Sequence, residues 1–172
     1  MMRFSTLIRH PADWMIGGSV DNAVVLTSRI RLARNLELSP FPGWATADQR
    51  RLAMEQMLPV IQDLRQMKDA FAQSLSGLTA VQKQVLVERH LISREHAART
   101  EGSAAVIERR QSLSIMVNEE DHLRMQSIRP GLNLRVAFDA LNEVDDELQE
   151  RLRFAYDRKL GFLTTCPTNL GT

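Results

Sequence analysis

The sequence is poor in cysteine and has no long apolar run, and each shortage excludes a class of protein. Cys166 is the only cysteine among 172 residues, so no disulfide can form within the chain, as is usual in a reducing cytosol. The longest stretch without a charged residue is 13 residues, which is too short to span a bilayer as a helix. The N-terminus also lacks the apolar core of a signal peptide. These features predict a soluble cytoplasmic protein.

Lysine is scarce as well, since 19 of the 22 basic residues are arginine and only three are lysine. Arginine is suited to planar, bidentate recognition of phosphate and carboxylate groups, but a compositional bias of the genome explains such a ratio equally well. The net charge is +1, with 44% hydrophobic and 25% charged residues. These values are typical of a globular domain and exclude a disordered chain. Composition alone therefore does not indicate a role for the arginines, and their positions in the sequence have to be considered.

Hydrophobic periodicity predicts an α+β fold with a largely antiparallel sheet flanked by helices. Capping boxes at Thr46–Gln49 and Thr79–Gln82 mark two helix starts, and Pro59 is expected to kink or split the first helix. Helices are predicted at 7–16 (broken by a Gly17-Gly18 turn), about 47–67, about 80–90 and 132–158. Strands are predicted at 24–32, 104–108, 112–118, 122–128 and 161–165. We expect a short N-terminal extension over 1–21 and a single domain over 22–172.

Two arginines occupy alternate positions of the first predicted strand. Arg29 and Arg31 should project from one face about 6–7 Å apart, a spacing that suits successive phosphates. A solvated strand face with ion pairs is the alternative. Nucleic-acid binding is a weaker interpretation, because aromatic residues are not interleaved with these arginines and the net charge is close to zero.

Three adjacent carboxylates follow the predicted strand 112–118, at Glu119, Glu120 and Asp121. They form either a solvated turn or a cluster in which one carboxylate points into a cleft while its neighbours bond locally. The neighbouring His122 has no second histidine or cysteine at ligand spacing, so a metal site is not expected. Cys166 opens a loop whose amides and hydroxyls could lower the pKa of a thiol, or it is a small structural hydrophobe.

Three segments taken together resemble the ATP:guanidino phosphotransferase family, the phosphagen kinases. They are TSRIR at 27–31, NEEDHLR at 118–124 and CPTNLGT at 166–172. The resemblance extends over about 22–172, and because only about 20 residues precede it, we expect the separate N-terminal helical domain of arginine and creatine kinases to be absent. The sequence SRIRLARN at 28–35 and the stretch at 142–146 most resemble those of the bacterial protein arginine kinase branch. That branch phosphorylates arginine side chains in proteins and so marks them for Clp-type degradation.

The resemblance implies an ATP-binding set and a catalytic pair. The implied ATP-binding residues are Thr27, Ser28, Arg29, Ile30, Arg31, His90 and Arg124. His90 would pack near the adenine, although a packing or capping role is the alternative for this residue. Glu120 would hold the acceptor guanidinium, and Cys166 would lie beside it. The implied cofactor is ATP with Mg²⁺ held mainly by phosphate oxygens and water, without dedicated protein ligands.

The resemblance also bears on the completeness of the chain, on alternative functions and on binding partners. Family members continue beyond the CPTN motif, so we expect either a fragment or a natural truncation, inactive or nearly so by itself, with an exposed apolar sheet edge. The alternatives are a kinase for a free guanidino compound such as arginine, and a non-catalytic remnant that binds nucleotide or protein. The implied partners are protein substrates through their arginine side chains, an activator subunit, the Clp protease system and a second copy of the chain, without nucleic acid or membrane.

Overall fold

A five-stranded antiparallel sheet organises the computed structural model, which describes residues 2–16 and 24–171. Its strands, in the spatial order β1-β5-β4-β3-β2, are β1 (Thr27–Arg34), β2 (Phe71–Ser74), β3 (Ala104–Ile107), β4 (Leu113–Val117) and β5 (Leu123–Pro130). A separate ribbon pairs β6 (Tyr156–Asp157) with β7 (Gly161–Phe162). The helices are α1 (Phe4–Arg9), α2 (Ala47–Gln62), α3 (Ala80–Glu88), α4 (Arg94–Ala98) and α5 (Leu134–Gln149). The predicted α+β class with an antiparallel sheet is confirmed.

Several element boundaries differ from the sequence prediction. Strand β2 and helix α4 were not predicted, and both are too short to carry a clear period. The predicted helix 132–158 stops at Gln149, because the chain beyond it turns back to the end of β1 and forms the bridge between Leu36 and Phe154. The predicted strand 161–165 shrinks to Gly161–Phe162. Helix α2 contains Pro59 in its last turn and ends at Gln62 rather than at 67. The predicted Gly17-Gly18 turn lies outside the described residues.

The two faces of the sheet pack against different cores because side chains alternate along each strand. One face, which includes Leu32, Ile115 and Met125, packs under helices α2 and α5. On the opposite face, β2, β3 and β4 contribute residues such as Phe71 and Met116 to a second core. The helices and the loops beside them add Leu7, Leu75, Leu78, Leu86, Leu91 and Ile92. Towards β1 and β5 this second face carries charged residues instead.

The N-terminal residues 2–16 pack on the domain. Leu7 is 1% exposed and belongs to the second core, and Ala12 is fully buried. The amide of Met2 donates to the carbonyl of Ala70 at 3.1 Å, and that of Asp13 donates to the carbonyl of Arg110 at 3.1 Å. The helices of residues 2–16 and 24–171 do not include one with the length and apolar character needed to cross a bilayer.

Candidate active site

Two adjoining cavities open on the charged end of the sheet. The first, here the sheet cavity, has a volume of about 280 Å³ and is lined by Arg29, Arg31, Val87, Glu88, His90, Ile92, Ser93, Arg94, Glu95, Met116, Arg124 and Gln126. The second, here the loop cavity, has a volume of about 520 Å³ and is lined by Arg31, Gly43, Ser93, Glu95, Arg99, Glu119, Glu120, Arg124 and Thr165. Four residues line both: Arg31, Ser93, Glu95 and Arg124. The boundary between the cavities therefore carries two arginines.

Strand pairing brings the arginines together. In the β1–β5 ladder Arg31 lies opposite Gln126 and Ala33 lies opposite Arg124. Opposed residues of an antiparallel pair share a face of the sheet, so Arg29, Arg31 and Arg124 project on one side. Ladder geometry thus places residues nearly 100 positions apart in the sequence around one space.

The other members of the predicted ATP-binding segment lie elsewhere. The Ser28 side chain is buried on the opposite face, where its hydroxyl donates to the carbonyl of Gly131 at 2.7 Å and accepts from the amide of Asn133 at 2.9 Å. Ile30 packs against the first core on that same face. Among the described residues, the lining of both cavities includes neither of these nor Thr27. The alternation predicted for this strand is observed, and it directs only the two arginine side chains to the site.

The electrostatics of the sheet cavity favour an anion. Burial lowers the pKa of Arg31, and the positive charges of Arg29 and Arg124 lower it further, with Glu119 opposing them. An arginine remains protonated despite such a shift. The shift therefore reflects burial of Arg31 first and repulsion from Arg29 and Arg124 second, and a polyphosphate in the cavity would relieve the repulsion.

Arg124 is held in place by a buried carboxylate. Its Nη1 donates to Oε2 of Glu119 at 3.0 Å, and Glu119 also accepts from the Ser93 hydroxyl at 2.7 Å and from the Glu120 amide at 2.9 Å. Burial by itself would raise the pKa of Glu119, but the hydrogen bonds from Ser93 and the Glu120 amide and the charge of Arg124 outweigh it, and the pKa is lowered. Glu119 is thus a fixed anion that orients Arg124.

The three adjacent carboxylates have three different environments. Glu119 and Asp121 are 3% and 1% exposed. Asp121 accepts from Nδ2 of Asn35 at 2.6 Å and from the amide of Thr165 at 2.7 Å. The Glu120 side chain is 39% exposed and lies 3.5 Å from Nη1 of Arg124. Two carboxylates therefore bond locally, while Glu120 keeps accessible oxygens in the loop cavity.

His122 is a buried structural histidine. Its Nδ1 accepts from the amide of Leu36 at 3.2 Å, and its own amide donates to Oδ1 of Asn35 at 2.9 Å. Burial lowers its pKa to about 4, against the opposing charge of Asp121. Within residues 2–16 and 24–171, histidine, cysteine and carboxylate side chains do not gather in a group of three that could hold a metal ion. Phosphate oxygens and water are the usual ligands of a magnesium ion bound together with a nucleotide.

Cys166 and His90 have different relations to the two cavities. Sγ of the half-buried Cys166 is 3.0 Å from Oγ1 of Thr168. Its neighbour Thr165, rather than Cys166 itself, lines the loop cavity. His90 follows α3 in the left-handed conformation, with φ of 58°, and lines the sheet cavity. His90 therefore sits at a helix cap and in the cavity wall at once.

Sequence reasoning missed the residues that α4 contributes. Ser93 is the N-cap of this helix and accepts from the amide of His96 at 2.9 Å, which leaves its hydroxyl hydrogen for Glu119. Glu95, in the first turn, lines both cavities. The signal for both was the serine at the start of SREHAA, a favoured N-cap residue. A helix of only five residues is too short to show a helical period after such a cap.

Known proteins match most of this chain in sequence. The model of the family described as ATP:guanido phosphotransferase, C-terminal catalytic domain, matches residues 53–172. The protein-arginine kinase of Halothermothrix orenii is 42% identical over 164 residues, which are 95% of this chain and 47% of that protein. The protein-arginine kinase of Clostridium novyi is 42% identical over 161 residues, 93% of this chain and 47% of the relative. The chain thus spans about half the length of the curated relatives it matches.

Solved structures show the same fold. The substrate-free duplicated taurocyamine kinase from Schistosoma mansoni superposes with a TM-score of 0.79 at 25% identity, over 100% of this chain and 25% of that chain. A lombricine kinase superposes with a TM-score of 0.76 at 23% identity, over 95% of this chain and 50% of the other. With a family match over 120 of 172 residues and this fold, the chain belongs to the ATP:guanido phosphotransferase family.

Proposed function

We propose that this site takes part in transferring the γ-phosphate of ATP to the guanidinium group of arginine residues in proteins. The observation that carries the proposal is the shared boundary of the two cavities, formed in part by Arg31 and Arg124. A polyphosphate in the sheet cavity would meet there a cation bound by Glu120 in the loop cavity. Phosphoryl transfer depends mainly on such positioning and on charge neutralisation.

The donor side of the reaction is served by the arginines. Arg29, Arg31 and Arg124 would neutralise the phosphate oxygens and the charge that develops on the leaving ADP. Glu119 keeps Arg124 in a fixed orientation, so this donor is already positioned before the transition state forms. Magnesium would be held by phosphate oxygens and water, and would add positive charge to the same oxygens.

The acceptor side is served by Glu120. A guanidinium is protonated at neutral pH and its nitrogen lone pairs are delocalised, so it is a poor nucleophile. A carboxylate can accept two of its N–H groups and take one proton as a nitrogen attacks. The new bond joins that nitrogen to the γ-phosphorus, the bond from phosphorus to the β,γ-bridging oxygen breaks, and ADP leaves. A thiolate at Cys166, as the family resemblance implies, would add a second negative charge near the cation.

The relatives support a protein substrate over a free guanidino compound. Those at 42% identity are named protein-arginine kinases, whereas the solved structures at 23–25% identity are named for taurocyamine and lombricine. Marking of the phosphorylated proteins for Clp-type degradation, an activator subunit and a homodimer remain proposals that follow from the family branch. A cytoplasmic location follows from the same branch.

We also propose that the 172-residue chain by itself transfers phosphate slowly. The chain covers only about 47% of the length of its relatives, and β1, which carries two of the site's arginines, is an edge strand of the described sheet. Leu26 beside this edge is 76% exposed, and Leu132 is 65% exposed. We expect such surfaces to lower solubility or to promote association.

The test is phosphate transfer from γ-labelled ATP to an arginine-rich protein, with free arginine as the competing acceptor. It is run on the 172-residue chain and on the complete product of the reading frame. The complete product should label the protein, and Glu120→Gln should abolish labelling while MgATP binding is retained. Glu55→Gln is the matched control, because Glu55 is an exposed carboxylate on α2 that pairs with Arg51. Labelling of free arginine alone would show the alternative substrate, and full activity in the Glu120→Gln variant would contradict the assigned role.

A further inference from the structure

The turn that carries His90 has a conformation normally given to glycine. After α3 the amide of Leu91 donates to the carbonyl of Leu86 at 2.9 Å, and the amide of His90 donates to that of Val87 at 2.9 Å. These two bonds define a Schellman motif, in which the residue with positive φ is usually glycine. Histidine adopts φ of 58° here. A non-glycine residue keeps such a strained conformation only where surrounding contacts hold it there.

The sheet fixes the backbone of the turn from one side. Gln126 of β5 donates its Nε2 to the carbonyl of His90 at 2.6 Å and lies within 2.9 Å of the Ser114 hydroxyl. Gln126 also stands opposite Arg31 in the strand ladder. The turn is thereby tied to the same sheet face that carries the arginines.

The N-terminal segment fixes the turn from the other side. The Arg89 guanidinium donates to the carbonyls of Ile8 at 2.8 Å and His10 at 2.7 Å, where α1 ends. Trp14 donates its Nε1 to the carbonyl of Arg89 at 3.3 Å. The indole then lies against the imidazole of His90, with ring centroids 5.1 Å apart and planes inclined at 52°. The two rings are in the range of a favourable aromatic contact.

The sheet cavity has two chemically different ends. Arginines from β1 and β5 form one wall, whereas His90, Val87 and Ile92 contribute an aromatic and apolar wall. A nucleoside triphosphate has the matching halves, namely a polyanion and a flat base. A nucleoside triphosphate bound with its phosphates at the arginines would therefore have its base beside His90.

From these contacts we infer that Trp14 is a positioning residue for nucleotide recognition: it holds the imidazole of His90 against the base. Residues 2–16 would then complete the nucleotide site, although they lie outside the segment 53–172 that matches the family model. The inference rests on the proposed binding of ATP in the sheet cavity. Trp14 should affect binding of the base and not of the phosphates. The indole contacts the turn that carries His90, whereas the arginines that would bind phosphate lie on β1 and β5.

The test compares ADP with inorganic tripolyphosphate, which carries the phosphates without a base. Affinities are measured by calorimetry on the full 172-residue chain and on the Trp14→Ala, Trp14→Phe and Trp44→Phe variants. Trp14→Ala should weaken ADP binding about three- to tenfold, the size expected for loss of one aromatic contact, and leave tripolyphosphate binding unchanged. Trp14→Phe should recover most of the ADP affinity. Trp44→Phe is the control, because Trp44 is 86% exposed.

A second measurement does not depend on altering Trp14. The chain has two tryptophans, so the Trp44→Phe variant reports the emission of Trp14 alone. ADP should change this emission, and tripolyphosphate should not. Two results would overturn the positioning role and leave the proposed function standing. One is an equal loss of affinity for both ligands in the Trp14→Ala variant, and the other is unchanged Trp14 emission on saturation with ADP. If the unaltered chain bound neither ligand, both the proposed nucleotide site and this inference would fall.

Discussion

Arg34 and Asp145 form a doubly bonded ion pair inside the protein. Nε of Arg34 donates to Oδ1 at 2.9 Å and Nη2 donates to Oδ2 at 2.6 Å, and both side chains are 3% exposed. The pair joins β1 to α5, and the guanidinium also lies 3.6 Å from the ring centroid of Phe162. Burial raises the pKa of Asp145, against the opposing effect of Arg34. Although Arg34 is only three residues from Arg31, it faces the other side of the sheet and serves the fold.

Removing one partner of this pair should lower the free energy of unfolding far more than removing both partners. Arg34→Met leaves the Asp145 carboxylate buried beside an apolar side chain, and we expect a loss of about 3–5 kcal/mol in the free energy of unfolding. The double variant Arg34→Met/Asp145→Leu should recover much of that loss, because no buried charge remains. Urea unfolding followed by circular dichroism measures both. Arg151→Met, which breaks an exposed pair with Asp63, is the control with little expected change, and a double variant no more stable than Arg34→Met would contradict the argument.

Acid should destabilise the protein through two buried histidines before most carboxylates titrate. Burial lowers the pKa of His96 to about 4, although a hydrogen bond to Ala104 opposes it, and lowers that of His122 to about 4. In the unfolded chain both would titrate near 6.5, so the unfolded state binds more protons between pH 6.5 and 4. The free energy of unfolding should have its full value above pH 6.5 and should decrease below that pH. The slope should approach about 1.4 kcal/mol per pH unit for each histidine.

Urea midpoints between pH 7.5 and 5 measure this slope. The His96→Gln variant should show about half of it, since one titrating group is gone. The His122→Gln variant should also show about half of it, because burial lowers the pKa of both histidines to about 4. A stability that stays flat from pH 7.5 to 5 would show that neither imidazole is held neutral by the fold.

Glu119 should influence phosphate binding although it is buried beneath Arg124. Glu119→Gln keeps the shape of the side chain but replaces a charge-assisted bond to Arg124 by a neutral one, a difference of about 1 kcal/mol. We expect roughly fivefold weaker binding of tripolyphosphate, as that energy implies at room temperature. In an Arg124→Ala background the same change should have no further effect, because the residue it orients is gone. Additive losses in the double variant would show that Glu119 acts by another route.

The left-handed conformation of His90 has its own measurable cost. His90→Gly and His90→Ala both remove the imidazole, but only alanine keeps a Cβ at φ of 58°. The glycine variant should therefore be the more stable of the two by about 1 kcal/mol. Nucleotide affinity should fall equally in both, because neither retains the ring. Equal unfolding free energies for the two variants would mean that the turn relaxes when the histidine is removed.

Local signals in the sequence determined the parts of the fold that depend on neighbouring residues. Both capping boxes form as predicted: Thr46 and Gln49 exchange bonds of 2.9 and 3.3 Å, and Thr79 and Gln82 exchange bonds of 2.9 and 3.2 Å. The alternation in β1 also sends Arg29 and Arg31 to one face. These features follow from helix-end hydrogen bonding and from the two-residue repeat of a strand, which act over four residues or fewer.

Tertiary structure alone decided the rest of the site. The sequence shows three equivalent carboxylates at 119–121, and their roles diverge because Ser93 bonds one, Asn35 bonds another and neither reaches Glu120. Helix α5 ends at Gln149 because the following chain pairs with residues beyond β1. Trp14 meets His90 at the turn where Arg89 binds the carbonyl of His10 after α1. Each of these contacts joins residues 26 to 118 positions apart, and no local pattern encodes a partner so distant along the chain, because packing of the whole domain selects it.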